Sequence, residues 1–324
     1  MAKSQLSQLA EWTVIVEDTG DIEKIRIDKP QDATTNPSLV YQAAQQPKYK
    51  NFVDEAVSYA NTKFKACVLT ERLEVAMDKL ACLFGCEISK AVPGYVSTEV
   101  DARLSFDTEG SIRRAKQIIA MYEEMGVPKE RILIKLATTW EMILACESLE
   151  KEGIKTNMTL LFSKCQAIAA AQKGATLISP FVGRILDWYK KSTGRDSYAP
   201  EEDPGVLSVK DIYKYYKAHG INTIVMGASF RSKEEIIELA GCDRLTIAPA
   251  WLEALTQCED PIERKLDPAS CTAEEEALPE LDEKTFRWML NGDAMATEKL
   301  AEGIRGFSAD IKKLEDKLVA LLEA

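Results

Sequence analysis

The sequence predicts an α/β fold: a single (β/α)8 TIM barrel with extra helices, including a C-terminal helical segment. Three observations carry this. Short β-branched apolar runs alternate about eight times with amphipathic helical stretches, which favours a closed parallel barrel over a doubly wound sheet. No Gly-x-Gly-x-x-Gly follows an early strand, so a dinucleotide fold gains no support. A chain of 324 residues suits one barrel with insertions.

The strand candidates are 13–16, 33–35, 95–100, 132–136, 159–162, 176–179, 223–226 and 245–248, each a short run bounded by turn residues. Between them, 3.6-residue periodicity predicts helices over 47–60, 70–84, 108–124, 139–152, 163–172, 208–218 and 233–239. The stretch 187–204, with Gly, Pro, Ser and charge, reads as a long surface loop, and the acidic 257–280 as a second excursion. Residues 283–290 and 297–322 read as helices. Leu300, Ile304, Phe307, Ile311, Leu314 and Leu318 form one stripe, fit either to pack on the barrel or to act as a cap or interface. One domain over 1–324 is expected, with the helices of about 283–322 packed on it.

Apolar residues make up 46% and charged residues 29%, ordinary for a globular chain, and no apolar run is long enough for a membrane span. The formal charge of −11 gives no general attraction to nucleic acid or anionic membrane, so an anionic ligand needs locally focused positive charge. The N-terminus lacks the apolar core of a signal peptide, and the eight scattered cysteines include no C-x-x-C. Reduced thiols and a cytoplasmic location are expected. Cys82 and Cys86 have helical i, i+4 spacing, better suited to small buried residues than to metal ligands. The single histidine, His219, precedes a glycine and suits a helix C-terminus. Ser-His-Asp, Cys-His and His-rich metal sites therefore lack parts, and neither metal nor cofactor is expected.

Lys135 stands out inside the apolar run 132–136, where alternation places it on the face of Leu133 and Ala137. A buried ammonium is costly unless it is paired or neutral, and a neutral amine is a nucleophile able to form a Schiff base with a carbonyl. The alternative is a strand-end lysine whose stem snorkels to water. The other strand ends tip the balance, because barrel chemistry sits at the carboxyl ends of the strands. These supply Asp18, Thr34 and Asn36, Glu99, Asn157 and Thr159, Ser179 with Phe181 and Arg184, and Ser229 with Arg231. Taken singly, Asp18-Thr-Gly could be a turn, Asn36-Pro37 a helix cap, and the arginines solvated side chains. Together they place a lysine, acids and polar groups on one rim. Two arginines at adjacent strand ends would clamp an anion such as phosphate.

Two segments, Asp32-Ala-Thr-Thr-Asn-Pro-Ser-Leu39 and Ile132-Leu-Ile-Lys-Leu-Ala-Thr-Thr-Trp-Glu141, resemble the most specific motifs of the transaldolases, Schiff-base enzymes of the pentose phosphate pathway. The resemblance extends in order through Asp18-Thr-Gly-Asp21, the stretch from Val96 to Asp107, Thr159-Leu-Leu-Phe162, Ile178 to Trp188, Val225 to Arg231 and Leu245 to Pro249. It implies that Lys135 forms the Schiff base and that Asp18 handles the C4 hydroxyl proton. Glu99 and Thr159 would hold a catalytic water. Asn36, Asn157 and Ser179, with Thr34 beside them, would bind the dihydroxyacetone unit, and Arg184, Ser229 and Arg231 the phosphate. Phe181 stands where aldolases that release their product tend to carry tyrosine, which favours transfer. The same resemblance implies the partners: sugar phosphates as substrates, no nucleic acid or membrane, and a homodimer. Alternative readings are an enzyme like fructose-6-phosphate aldolase, releasing free dihydroxyacetone, or a non-catalytic binding barrel. The chain departs from the family's pattern at Tyr95, Met142, Thr156 and 163–166.

Overall fold

The computed structural model describes residues 3–273 and 275–323. The chain runs α1 (Gln5–Leu9), β1 (Val14–Asp18), α2 (Ile22–Asp28), β2 (Asp32–Thr34), α3 (Pro37–Ala44), α4 (Lys50–Lys63), α5 (Leu69–Ala91) and β3 (Val96–Glu99). It continues α6 (Thr108–Glu124), β4 (Ile132–Ala137), α7 (Trp140–Lys151), β5 (Lys155–Leu161), α8 (Lys164–Gln172), β6 (Leu177–Pro180), α9 (Val182–Thr193) and α10 (Pro204–Ala218). The last elements are β7 (Ile224–Gly227), α11 (Lys233–Ile237), β8 (Arg244–Ile247), α12 (Pro249–Thr256), α13 (Glu283–Gly292) and α14 (Ala294–Leu322). The eight strands close into one parallel barrel in sequence order, with β8 returning to β1.

Local chemistry sets many helix starts. Asn36, Asp107, Thr139, Asp203, Ser232 and Asp293 each accept a backbone N–H of the helix they precede. Ser163 and Gln166 form a capping box on α8, so the unusual 163–166 segment is a helix start.

Three elements differ most from expectation, the first being β5, which begins at Lys155 rather than at 159 and so contains Asn157. Residues 187–193 belong to α9, which runs from Val182 until Gly194 caps it at φ +72°. The local Lys and Ser content suggested a loop, but Ile185 is buried and holds that face on the barrel. Helix α5 does not stop near Gly85 but runs on to Ala91. Gly85 serves a close crossing, since a Cβ there would lie 1.7 Å from Tyr122 Oη of α6. Much of 257–280 is irregular, with one 3₁₀ turn at Pro268–Ser270; Glu274 lies outside the described residues.

Helix α14 lies across α3, α5, α9 and β5. All six residues of its stripe are buried. It therefore covers the barrel beside the carboxyl ends of the strands. His219 caps α10, its ring 4.5 Å from that of Tyr215. Among the described residues no helix is long and apolar enough to cross a membrane.

Candidate active site

Strand alternation builds the site in layers. Val16, Leu133, Leu177 and Met226 fill the barrel's lower interior with Val14, Tyr95 and Ile224. Two residues further along the same strands come Asp18, Lys135 and Ser179, on the same inward face. Register sets Glu99 beside Lys135, and Lys135 beside Asn157. The polar layer thus rests on an apolar floor that bars water from below.

Lys135 is 5% exposed. Its Nζ lies 3.1 Å from Glu99 Oε2 and donates to the Thr35 carbonyl at 3.2 Å. Glu99 Oε2 has no aligned hydrogen-bond donor among the described residues, so its contact with Lys135 is a charge contact. Burial raises the pKa of Glu99, and the charges of Lys135 and Arg184 only partly offset this. Asp18 behaves alike: burial raises its pKa against the pull of Lys135, the Thr34 hydroxyl and Arg184. Thr34 Oγ1 donates to Asp18 Oδ1 at 2.9 Å and lies 2.7 Å from Thr246 Oγ1. Both acids hold protons more firmly than free carboxylates.

A second network crosses the barrel. Asn157 Nδ2 donates to Ser97 Oγ at 3.1 Å, and Ser179 Oγ donates to Asn157 Oδ1 at 2.6 Å. Ser179 reaches the pocket while Asn157 stands behind it. Asn36 serves two ends: its Oδ1 accepts Leu39 N at 3.0 Å to cap α3, and the residue also lines the pocket. The Thr159 hydroxyl is buried beside Lys135 with no partner among the described residues. A polar atom left so is costly unless water or ligand meets it.

The pocket has a volume of ≈ 90 Å³. Nine of the twelve residues expected from the sequence line it: Asp18, Thr34, Asn36, Lys135, Thr159, Ser179, Phe181, Arg184 and Ser229. Glu99 touches Lys135 from behind. Arg231 is not in the lining. It pairs with Asp187, Nη2 to Oδ2 at 2.6 Å, because α9 places that carboxylate one turn after Arg184. Of the two arginines expected to clamp an anion, Arg184 lines the pocket, whereas Arg231 is held by Asp187 with its Nη1 3.4 Å from Ser229 Oγ. Burial and the Arg231 charge push the Arg184 pKa below its ordinary value, the mark of a cation short of negative partners. Ser229 holds φ +62°, a strained backbone at the pocket wall.

Phe307 was not foreseen as a site residue. Helix α14 brings its ring to 5.5 Å from the Arg184 guanidinium and 6.0 Å from Lys135 Nζ, while Phe181 faces Arg184 at 5.0 Å. In sequence Phe307 was one apolar member of a packing stripe, and only the placement of α14 distinguishes it. The departures have structural places too. Tyr95 lies on the barrel floor, its hydroxyl 2.7 Å from Lys155 Nζ and its ring under Arg244. Thr156 bonds Glu150, and Met142 is buried in the first turn of α7.

The family model described as transaldolase/fructose-6-phosphate aldolase matches residues 15–318. The chain is 58% identical over 317 residues to a transaldolase of Shewanella amazonensis, covering 98% of each. It is 57% identical over 317 residues to transaldolase A of Pasteurella multocida, again covering 98% of each. Against a transaldolase of Marinomonas sp. the identity is 58% over 320 residues, covering 98% of this chain and 99% of that one.

Proposed function

The chain belongs to the transaldolase/fructose-6-phosphate aldolase family, and on that premise we propose that it works as a transaldolase with Lys135 as its Schiff-base residue. It transfers a dihydroxyacetone unit from fructose 6-phosphate or sedoheptulose 7-phosphate to glyceraldehyde 3-phosphate or erythrose 4-phosphate. The observation that carries the residue assignment is the enclosed Lys135 amine, 3.1 Å from a carboxylate and in one pocket with a second.

Glu99, whose proton affinity burial has raised, takes a proton from Lys135. The amine adds to the ketone to give a carbinolamine. Its C–O bond then breaks, Glu99 returns a proton to the departing hydroxyl, and water and an iminium remain. Asp18 accepts the C4 hydroxyl proton while the C3–C4 bonding pair moves toward the iminium, which leaves an enamine and frees an aldehyde phosphate. Ser179 and Asn36 hold the enamine's hydroxyls until an acceptor aldehyde takes the bond in reverse. Arg184 and Ser229 hold the phosphate, so that binding energy far from the reacting carbons orients the carbonyl. The Phe181 and Phe307 rings keep bulk water from the enamine, which favours transfer over release.

Borohydride added with fructose 6-phosphate is expected to fix a dihydroxyacetone adduct on a peptide containing Lys135. Lys135→Ala is expected to lose both adduct and turnover while keeping its circular dichroism. An adduct on another lysine would overturn the assignment. A homodimer, expected from the resemblance, is checked by sedimentation, and cytoplasmic residence by fractionation.

A further inference from the structure

A second cavity lies on the far side of Glu99. It has a volume of ≈ 50 Å³, room for about three waters at ~15 Å³ apiece. Thr35, Asn36 and Glu99 form the wall toward the substrate pocket, and Asp78, Asp101 and Arg114 the opposite one. Pro37 and Val40 of α3, Met77 and Ala81 of α5, and Ile311 and Leu314 of α14 supply the apolar remainder. A water needs two to four polar partners, and this lining offers them. At both ends a buried atom lacks an aligned hydrogen-bond partner among the described residues: Glu99 Oε2 and Arg114 Nε.

The cavity has a way out. Asp101 and Arg114 also line a larger groove of ≈ 570 Å³, bordered by Glu74, Arg103, Arg113 and Lys312. Glu74 is largely exposed there and Arg103 half so, which opens the groove to solvent. Arg114 stands between the two spaces, paired with Asp78 and with Glu74, the latter at 2.7 Å.

Imine formation must release one water beside Glu99, and imine hydrolysis must take one up. A sugar phosphate in the ≈ 90 Å³ pocket, under Arg184 and Phe307, fills the route between the reacting carbon and the mouth. We propose that the cavity behind Glu99 is a water vestibule: the water expelled when Lys135 condenses with the ketone leaves through it toward the Asp101–Arg114 groove, and the hydrolytic water arrives the same way. This rests on the transaldolase reading above.

The test follows one oxygen. Fructose 6-phosphate labelled with ¹⁸O at C2 is mixed with ¹³C-labelled glyceraldehyde 3-phosphate, and the ¹³C-containing ketose is weighed by mass spectrometry at early times. Every such molecule has passed through cleavage and hydrolysis on the enzyme. In the wild type its C2 oxygen is expected to come from solvent. Ala81→Leu, or Ala81→Met with a more adaptable side chain, fills the vestibule without touching a reacting group. Either variant is expected to retain ¹⁸O in the carbon-exchanged product several-fold more often, with kcat lowered and KM little changed. If a folded variant loses label as completely as the wild type, the water uses the mouth and the vestibule is refuted. If the wild type exchanges no carbon at all, the transaldolase reading itself fails and takes the vestibule with it.

Discussion

Residue by residue, function and stability pull apart. Lys135, Asp18 and Glu99 form a cluster in which burial raises the pKa of both acids, and neighbouring cations offset only part of that effect. Glu17, next to Asp18 but on the opposite face of β1, has only the Lys24 charge to set against its burial. It is fully buried, and as a carboxylate neither oxygen has a partner among the described residues. Burial and the nearby Asp28 charge raise its pKa to about 8, and as an acid it can donate to Asp28. The unfolded value is near 4.5, so the folded chain binds the extra proton between these limits. The resulting stability is whole below pH 4.5 and is lost as pH rises through 8. The size is of order several kcal/mol, since each pKa unit is worth about 1.4 kcal/mol. Glu17→Gln is therefore expected to melt higher than the wild type at pH 8 to 9 and to match it near pH 4.5. A pH series of thermal melts reads this directly, and parallel curves would refute it.

At the level of elements, close approach counts for more than propensity. Alanine is worth about 1 kcal/mol more than glycine in a helix. Yet a Cβ at Gly85 of α5 would meet Tyr122 Oη of α6 at 1.7 Å, and that hydroxyl lies 2.5 Å from Thr98 Oγ1 of β3. Gly85→Ala is thus expected to destabilise by about 1–3 kcal/mol, the usual range for overpacking. Because Thr98 precedes Glu99, activity at saturating substrate should fall as well. Urea unfolding measures the first effect and kcat the second; a gain in stability would show that the helices can part at little cost. Similar logic holds at Gly303 of α14, where a Cβ would lie 2.6 Å from Leu160 Cδ2. Leu160 itself holds φ +50° at the irregular register of β5.

For the whole molecule, α14 makes the site a property of the complete chain. Its stripe closes over the barrel, Phe307 walls the pocket, Ile311 and Leu314 roof the vestibule, and Asp310 accepts the Ser38 hydroxyl at the start of α3. A chain ending at Asp293 would expose that apolar surface and open the pocket to water. It is expected to lose turnover and bind an apolar dye while keeping much of its far-ultraviolet dichroism. Full activity in that shortened chain would place Phe307 outside the machinery.

The barrel was legible in the sequence because its signals are local: β-branched runs with period two, apolar stripes with period 3.6, and caps and glycines at the joins. The lysine was legible for the same reason, since alternation alone puts Lys135 on the face of Leu133. Long motifs then carried the remaining acids, amides and arginines. Helix α9 was missed in part because a mixed-charge helix and a surface loop share a composition, and burial of Ile185 decides between them. Phe307, the turn of Arg231 toward Asp187 and the cavity behind Glu99 were not legible at all. Each depends on the distance between groups far apart in the chain, and that distance is set only when the barrel closes and α14 settles across it.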